Sequence, residues 1–178
     1  MSGIERLSRN LHFSAYYQAV VILSSLFLTP FILKRVDLGL YGLNALIMSI
    51  VGYFNMLDLG LNSGISRFTA VFFGEGRLEK ISDILRFGIK FFTSLGILVA
   101  SILFILSFFY ERLFHIELEL VAKGRGLLLI YAAASLLTWA TIPFRGILTG
   151  LQRMDLISKV GLAISISNIP IALIVLTY

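Results

Sequence analysis

The chain has 178 residues, of which 58% are hydrophobic and 14% charged, and a formal net charge of +5. Its mean hydropathy is +0.92. A soluble domain carries about 25% charged residues, so these values exclude a soluble fold and predict an all-α integral membrane bundle. The lack of cysteine excludes disulfides, thiolate metal sites and cysteine catalysis.

Five windows carry no charge: Asn10–Leu33, Leu38–Leu57, Phe91–Tyr110, Gly126–Phe144 and Val160–Tyr178. Each is close to the roughly 20 residues that a helix needs to cross the hydrocarbon core. With their flanks they predict membrane-spanning helices over about 10–33, 38–60, 88–110, 126–144 and 159–178. The first is too long for the apolar core of a signal peptide and lacks a small-residue cleavage pattern. On a helical wheel its Asn10, Ser14, Gln18, Ser25 and Thr29 fall within about 100°. Lys34–Leu38 then links it to the second span.

The second span runs into YFNMLDLGLNSGISR, Tyr53 to Arg67. Read as one continuous helix, this region puts Asn44, Asn55, Asp58, Asn62 and Ser66 within an arc of about 80°. Amides are hard to place against lipid, and intramembrane ionisable groups face a bundle interior or a watery cavity. For Asp58, close to a span end, anchoring a helix end or loop is the weightier alternative. Asp58 and Arg67 lie on opposite sides of a continuous helix, about 13 Å apart along it, and pair only if Gly60 or Gly64 breaks it. Both glycines also offer close approach to a neighbouring helix.

In GEGRLEKISDILRFGIK, Leu78, Ile81 and Leu85 have helical spacing with charges opposite. A surface helix and a cytoplasmic lead-in to the third span both fit, the lead-in better. The third span has no coherent polar stripe, since Ser94 and Ser101 align but Thr93 and Ser107 do not. It is expected to face lipid more than the others do. Glu111–Arg125 joins it to the fourth span, where Tyr131, Ser135, Thr138 and Arg145 share an arc of about 80°. In the fifth, Ser158, Ser165 and Asn168 align. The hydroxyl stripes have a plain reading as helix–helix packing. Pro30 and Pro143 stand near expected span ends, whereas Pro170 falls inside the fifth span and is expected to kink it.

An N-terminus in the cytoplasm puts ten of the 15 basic residues inside and five outside, as the positive-inside rule requires. The positive charge therefore needs no nucleic-acid partner. His12 and His115 sit near span ends, and no His, Asp or Glu spacing suggests a metal site.

The run FLTPFILKRVDLGLYGLNAL, then GYFNMLDLGLNSGISRFTAVFFGEG, resembles the start of the O-antigen and polysaccharide flippases. These belong to the multidrug/oligosaccharidyl-lipid/polysaccharide exporter superfamily. TIPFRGILTGLQRMDLISKV is similar to the link between their fourth and fifth helices. The likeness runs from about Asn10 to the end. It implies two lobes of helices around a central cavity and alternating-access export of an isoprenoid-pyrophosphate-linked oligosaccharide across the bacterial inner membrane, with no cofactor. The oily ending fits a chain, residues 1–178, that forms most of the first lobe without its sixth helix or the second lobe. Gln18, Asn44, Asn55, Asp58 and Asn62 are then the substrate-cavity candidates. The pyrophosphate needs positive charge, and Arg35, Arg67 and Arg145 are its candidates. The resemblance also brings membrane lipids, a coupling ion and a polysaccharide polymerase into view as partners.

One departure matters. Lipid II flippases carry arginines on the cavity faces of their first two helices, where this chain has Gln18, Asn44 and Asn55, which disfavours lipid II. The rival within transport is a cation-coupled multidrug exporter, which wants an acidic residue deep in the lobe. A membrane glycosyltransferase or ligase wants paired carboxylates or a large loop, and the sequence has neither. A structural membrane subunit is the last alternative, and coherent polar stripes weigh against it.

Overall fold

The computed structural model describes residues 15–27, 29–30, 34–114 and 118–177, and side-chain surroundings for all of these except 118–119 and 168–177. The helices are α1 (Ala15–Phe27), α2 (Leu38–Phe54), α3 (Leu61–Gly74), α4 (Leu78–Phe114), α5 (Leu118–Gly150) and α6 (Met154–Thr177). A 3-10 turn, Asn55–Asp58, continues α2. No strand occurs among the described residues. Three helical stretches, Leu38–Asp58, Leu78–Phe114 and Leu120–Gly150, are long and apolar enough to span a membrane, and α1 is a shorter apolar helix. The architecture is a polytopic helical membrane bundle. In hydrocarbon each backbone N–H and C=O must be satisfied within its own segment, so long charge-free runs become helices.

The chain divides into two compact units, Leu38–Leu151 and the pair Met1–Asp37 with Gln152–Tyr178. The first is built on an α4–α5 hairpin. With 37 residues, α4 is about 55 Å long, almost twice the roughly 30 Å hydrocarbon thickness. The amphipathic segment from Leu78 is therefore the uninterrupted lead-in to the third span. Its exposed Glu79, Lys80, Asp83 and Arg86 are carried beyond the apolar stretch.

Along α4, Gly88, Phe92, Gly96, Val99, Leu103, Ser107 and Tyr110 are buried, recurring every three or four residues down one face. Leu128, Ala132, Ser135, Trp139 and Pro143 form the matching stripe on α5. The helices run antiparallel with glycines at the closest points. A Cβ on Gly88 would lie 2.9 Å from Pro143 Cβ, and one on Gly96 would lie 2.9 Å from Trp139 Cβ. Leu43 and Ile47 of α2 and Ile65 of α3 complete this core.

Two sequence expectations are corrected here. The third span, α4, is no lipid-facing outlier, because a larger share of its apolar window is buried than of α2's. Lipid tails are as apolar as leucine, so shape, small residues and close packing decide which helix face is buried in a membrane. A missing polar stripe does not predict exposure. Pro143 also lies within α5, buried against Gly88. The helix runs on past it to Gly150 instead of ending nearby.

In the second unit, α1 and α6 approach where a Cβ on Gly161 would come within 2.7 Å of the Tyr17 ring. Asp155, in the first turn of α6, is buried and accepts a hydrogen bond from Arg153 Nε at 3.3 Å. The N-terminal part of the first predicted span and residues 115–117 lie outside the described residues, as do Asn10, His12, Ser14 and His115.

Candidate functional site

Tyr53–Arg67 is not one helix. After α2 ends at Phe54, the 3-10 turn gives way to Leu59 (φ 49°) and Gly60 (φ 77°), both left-handed. Glycine takes that conformation without penalty, while a residue with a Cβ pays about 1–2 kcal/mol. Two such residues in succession end the α-helical path and restart it at Leu61. The single wet face expected of a continuous helix is therefore split among a 3-10 turn, a left-handed pair and α3.

Half-buried Asp58 sits on the near side of the break, and its Oδ1 accepts the backbone N–H of Asn62 at 3.0 Å. The first four N–H groups of a helix have no partner within it, and this carboxylate supplies one. Asp58 thus does helix-end work, the weightier of its two sequence readings.

From there α3 lies parallel to the end of α5, held by a small-residue notch, Gly146-Ile-Leu-Thr-Gly150. A Cβ on Gly146 would clash with Asn62 Oδ1 and stand 3.0 Å from Ile65 Cγ2. One on Gly150 would clash with the Ser66 carbonyl and reach Thr69 Cβ at 2.7 Å. This is the spacing that lets membrane helices meet backbone to backbone. Gly60 and Gly64, the glycines singled out in the sequence, have nothing within 4 Å of an added Cβ. The sequence signal for this notch is the G-x-x-x-G spacing in TIPFRGILTG. The notch buries two polar atoms without a hydrogen-bond partner, Asn62 Oδ1 and Thr69 Oγ1.

The other candidates are distributed as follows. Asn44, on α2, accepts the Tyr131 hydroxyl of α5 at 3.0 Å through Oδ1, a pairing the sequence left unread although both residues stood in its polar stripes. Asn55 is exposed in the 3-10 turn. Arg67 on α3 and Arg145 on α5 are exposed, and no carboxylate among the described residues pairs with either. Because Asn62 abuts Gly146, Arg145 is level with Asn62, and Arg67 stands about 7 Å further along the parallel pair. Gln18, on α1, and Arg35 are exposed and belong to the other unit.

The hydroxyl stripes bond inward. Ser94, Ser101, Ser135, Thr138 and Thr149 each donate to a carbonyl three or four residues earlier in the same helix. Polar contacts between helices of this unit come from elsewhere: Tyr131 to Asn44, the Tyr110 hydroxyl to the Val121 carbonyl, and Arg125 Nε to the Ser107 carbonyl at 3.2 Å.

The bundle, with its polar groups at a helix break, is matched by a family model. The MatE model matches residues 14–174. The chain belongs to the MatE family. Members of this family are membrane transporters of the multidrug/oligosaccharidyl-lipid/polysaccharide exporter superfamily, not enzymes. The chain is also 26% identical, over 140 residues, to a Bacillus subtilis (strain 168) protein named "Uncharacterized membrane protein EpsK". That alignment covers 75% of this chain and 27% of the relative, so the chain spans about a quarter of the relative's length. No solved structure matches.

Proposed function

We propose that this MatE chain is most of the first lobe of a flippase that exports an isoprenoid-pyrophosphate-linked oligosaccharide across the bacterial inner membrane. In this reading it crosses the membrane five times, over about 10–33, 38–60, 88–110, 126–144 and 159–178, with its N-terminus in the cytoplasm. Gln18, Asn44 and Asn55 offer amides to sugar hydroxyls, with Asp58 holding the turn beside Asn55.

The observation that carries the reading is the pair Arg67 and Arg145. They are exposed on adjoining helices, about 7 Å apart along the pair, without carboxylates of their own among the described residues. A pyrophosphate seeks such groups, because guanidinium–phosphate hydrogen bonds are among the strongest available. A cation-coupled drug exporter is less well supported. Asp58 and Asp155 both lie at helix ends, where Asp58 receives a backbone N–H and Asp155 receives Arg153.

The test is translocation of a fluorescent isoprenoid-pyrophosphate oligosaccharide by the full-length protein in liposomes. Losing one charge-assisted hydrogen bond costs about 1.5–3 kcal/mol, so Arg67→Ala and Arg145→Ala should each slow transport about tenfold or more. Unchanged transport by both variants would remove the arginines from substrate binding. Extrusion of a lipophilic cation with no oligosaccharide movement would favour the drug exporter.

A further inference from the structure

Between α4 and α5 lies an open groove of about 610 Å³ lined by nine residues. Ala100, Ala132 and Ala133 leave room, and Ile97, Phe104, Ile105, Leu129 and Leu136 stand around them. The one hydroxyl in the lining, Ser101, donates to the Ile97 carbonyl at 2.8 Å, so the groove presents no unsatisfied polar side chain.

The groove leads to a cation. Phe104 packs edge-on against Phe108, with ring centroids 5.2 Å apart, and the Arg125 guanidinium lies 5.5 Å over the Phe108 ring. Arg125 is also one turn from Leu129 on the same face of α5. Its Nε is bound to the Ser107 carbonyl, which fixes the side chain and leaves both Nη groups for another partner. No carboxylate among the described residues pairs with it.

We propose that this groove binds one phospholipid with an anionic headgroup, its acyl chain against Ala100, Ala132 and Ala133 and its phosphate at Arg125. Length and charge both select such an occupant. Arg125 to Leu136 on α5, and Phe108 to Ile97 on α4, each rise about 16 Å, about half of the roughly 30 Å hydrocarbon core and therefore one leaflet. Arg125 immediately precedes the charge-free window Gly126–Phe144, at the level where a headgroup sits. A packed transmembrane helix would continue through the second leaflet and would present no anion to Arg125. A lipid matches both ends.

The full-length protein, purified in detergent, is titrated with palmitoyl-oleoyl-phosphatidylglycerol and separately with the phosphatidylcholine of the same chains. Bound lipid is counted by native mass spectrometry. Retention should favour phosphatidylglycerol and fall about tenfold in Arg125→Ala, the loss expected for a charge-assisted hydrogen bond. Ala133→Trp fills the groove, leaves Arg125 in place and should lower retention of both lipids. If Arg125→Ala proves too unstable to purify, Ala133→Trp and the headgroup comparison on the unmodified protein decide the matter. Equal retention of the two headgroups, or wild-type retention by Ala133→Trp, would overturn the proposal. So would a cysteine at Ala133 that crosslinks two copies of the protein efficiently in the membrane, since the groove would then be a protein interface.

Discussion

The Asp58 carboxylate receives the Asn62 N–H at 3.0 Å, and helix-start side chains of this kind contribute about 1 kcal/mol. Asp58→Ala is therefore expected to destabilise the protein by about that much, while Asp58→Asn keeps an acceptor and should stay within a few tenths of a kcal/mol. Thermal unfolding in detergent reads both. A carboxylate working as a coupling ion site would give the reverse pattern, with Asp58→Asn abolishing transport at unchanged stability. Gly60 was legible in the sequence as one of two glycines, with Gly64, that could break the helix. That Leu59 joins it in the left-handed region was not legible, because leucine has no preference for that conformation.

Glycines decide how the elements meet, and only those opposite another helix matter. Gly146→Ala and Gly150→Ala place a Cβ into α3, where overpacking costs about 1–3 kcal/mol. Both should unfold at lower temperature than the parent protein. Gly52→Ala and Gly64→Ala, with nothing within 4 Å, should be neutral or gain up to about 1 kcal/mol in helix propensity. If the two pairs of variants behave alike, the α3–α5 notch does not hold the unit together. Long helices were legible from hydropathy alone, down to the continuity of the amphipathic lead-in with α4. The buried face of α4 was not legible from polarity, since its contacts are a matter of fit between Gly88 and Pro143 and between Gly96 and Trp139.

For the molecule as a whole, the ten-to-five distribution of basic residues sets an expected orientation. The absence of cysteine provides a clean background for testing it. Single cysteines at Asp37, Glu79 and Met154 are exposed positions. An impermeant thiol reagent added to intact cells should label the first and reach the other two only after permeabilisation. Labelling of Glu79→Cys from outside would invert the topology and move Arg67 and Arg145 to the opposite side of the membrane. The arginines proposed to bind substrate would then face the side opposite to the one the proposed export requires.

By itself the sequence determined the class of solvent, the helical state and the superfamily, because each depends on composition and order along the chain. A charge-free run of about 20 residues has few stable states other than a helix in lipid, and that holds whatever its neighbours are. Tertiary structure alone decided which polar residues meet. Asn44 and Tyr131 are 87 residues apart, and no helical wheel drawn on one span relates them. Asn62 and Ser66 lie against Gly146 and Gly150 because a glycine notch admits another backbone, and the partner admitted is set by the fold. Arg67 and Arg145 come to neighbouring levels for the same reason. Close approach between helices is a property of two surfaces at once, and a single stretch of sequence carries only one of them.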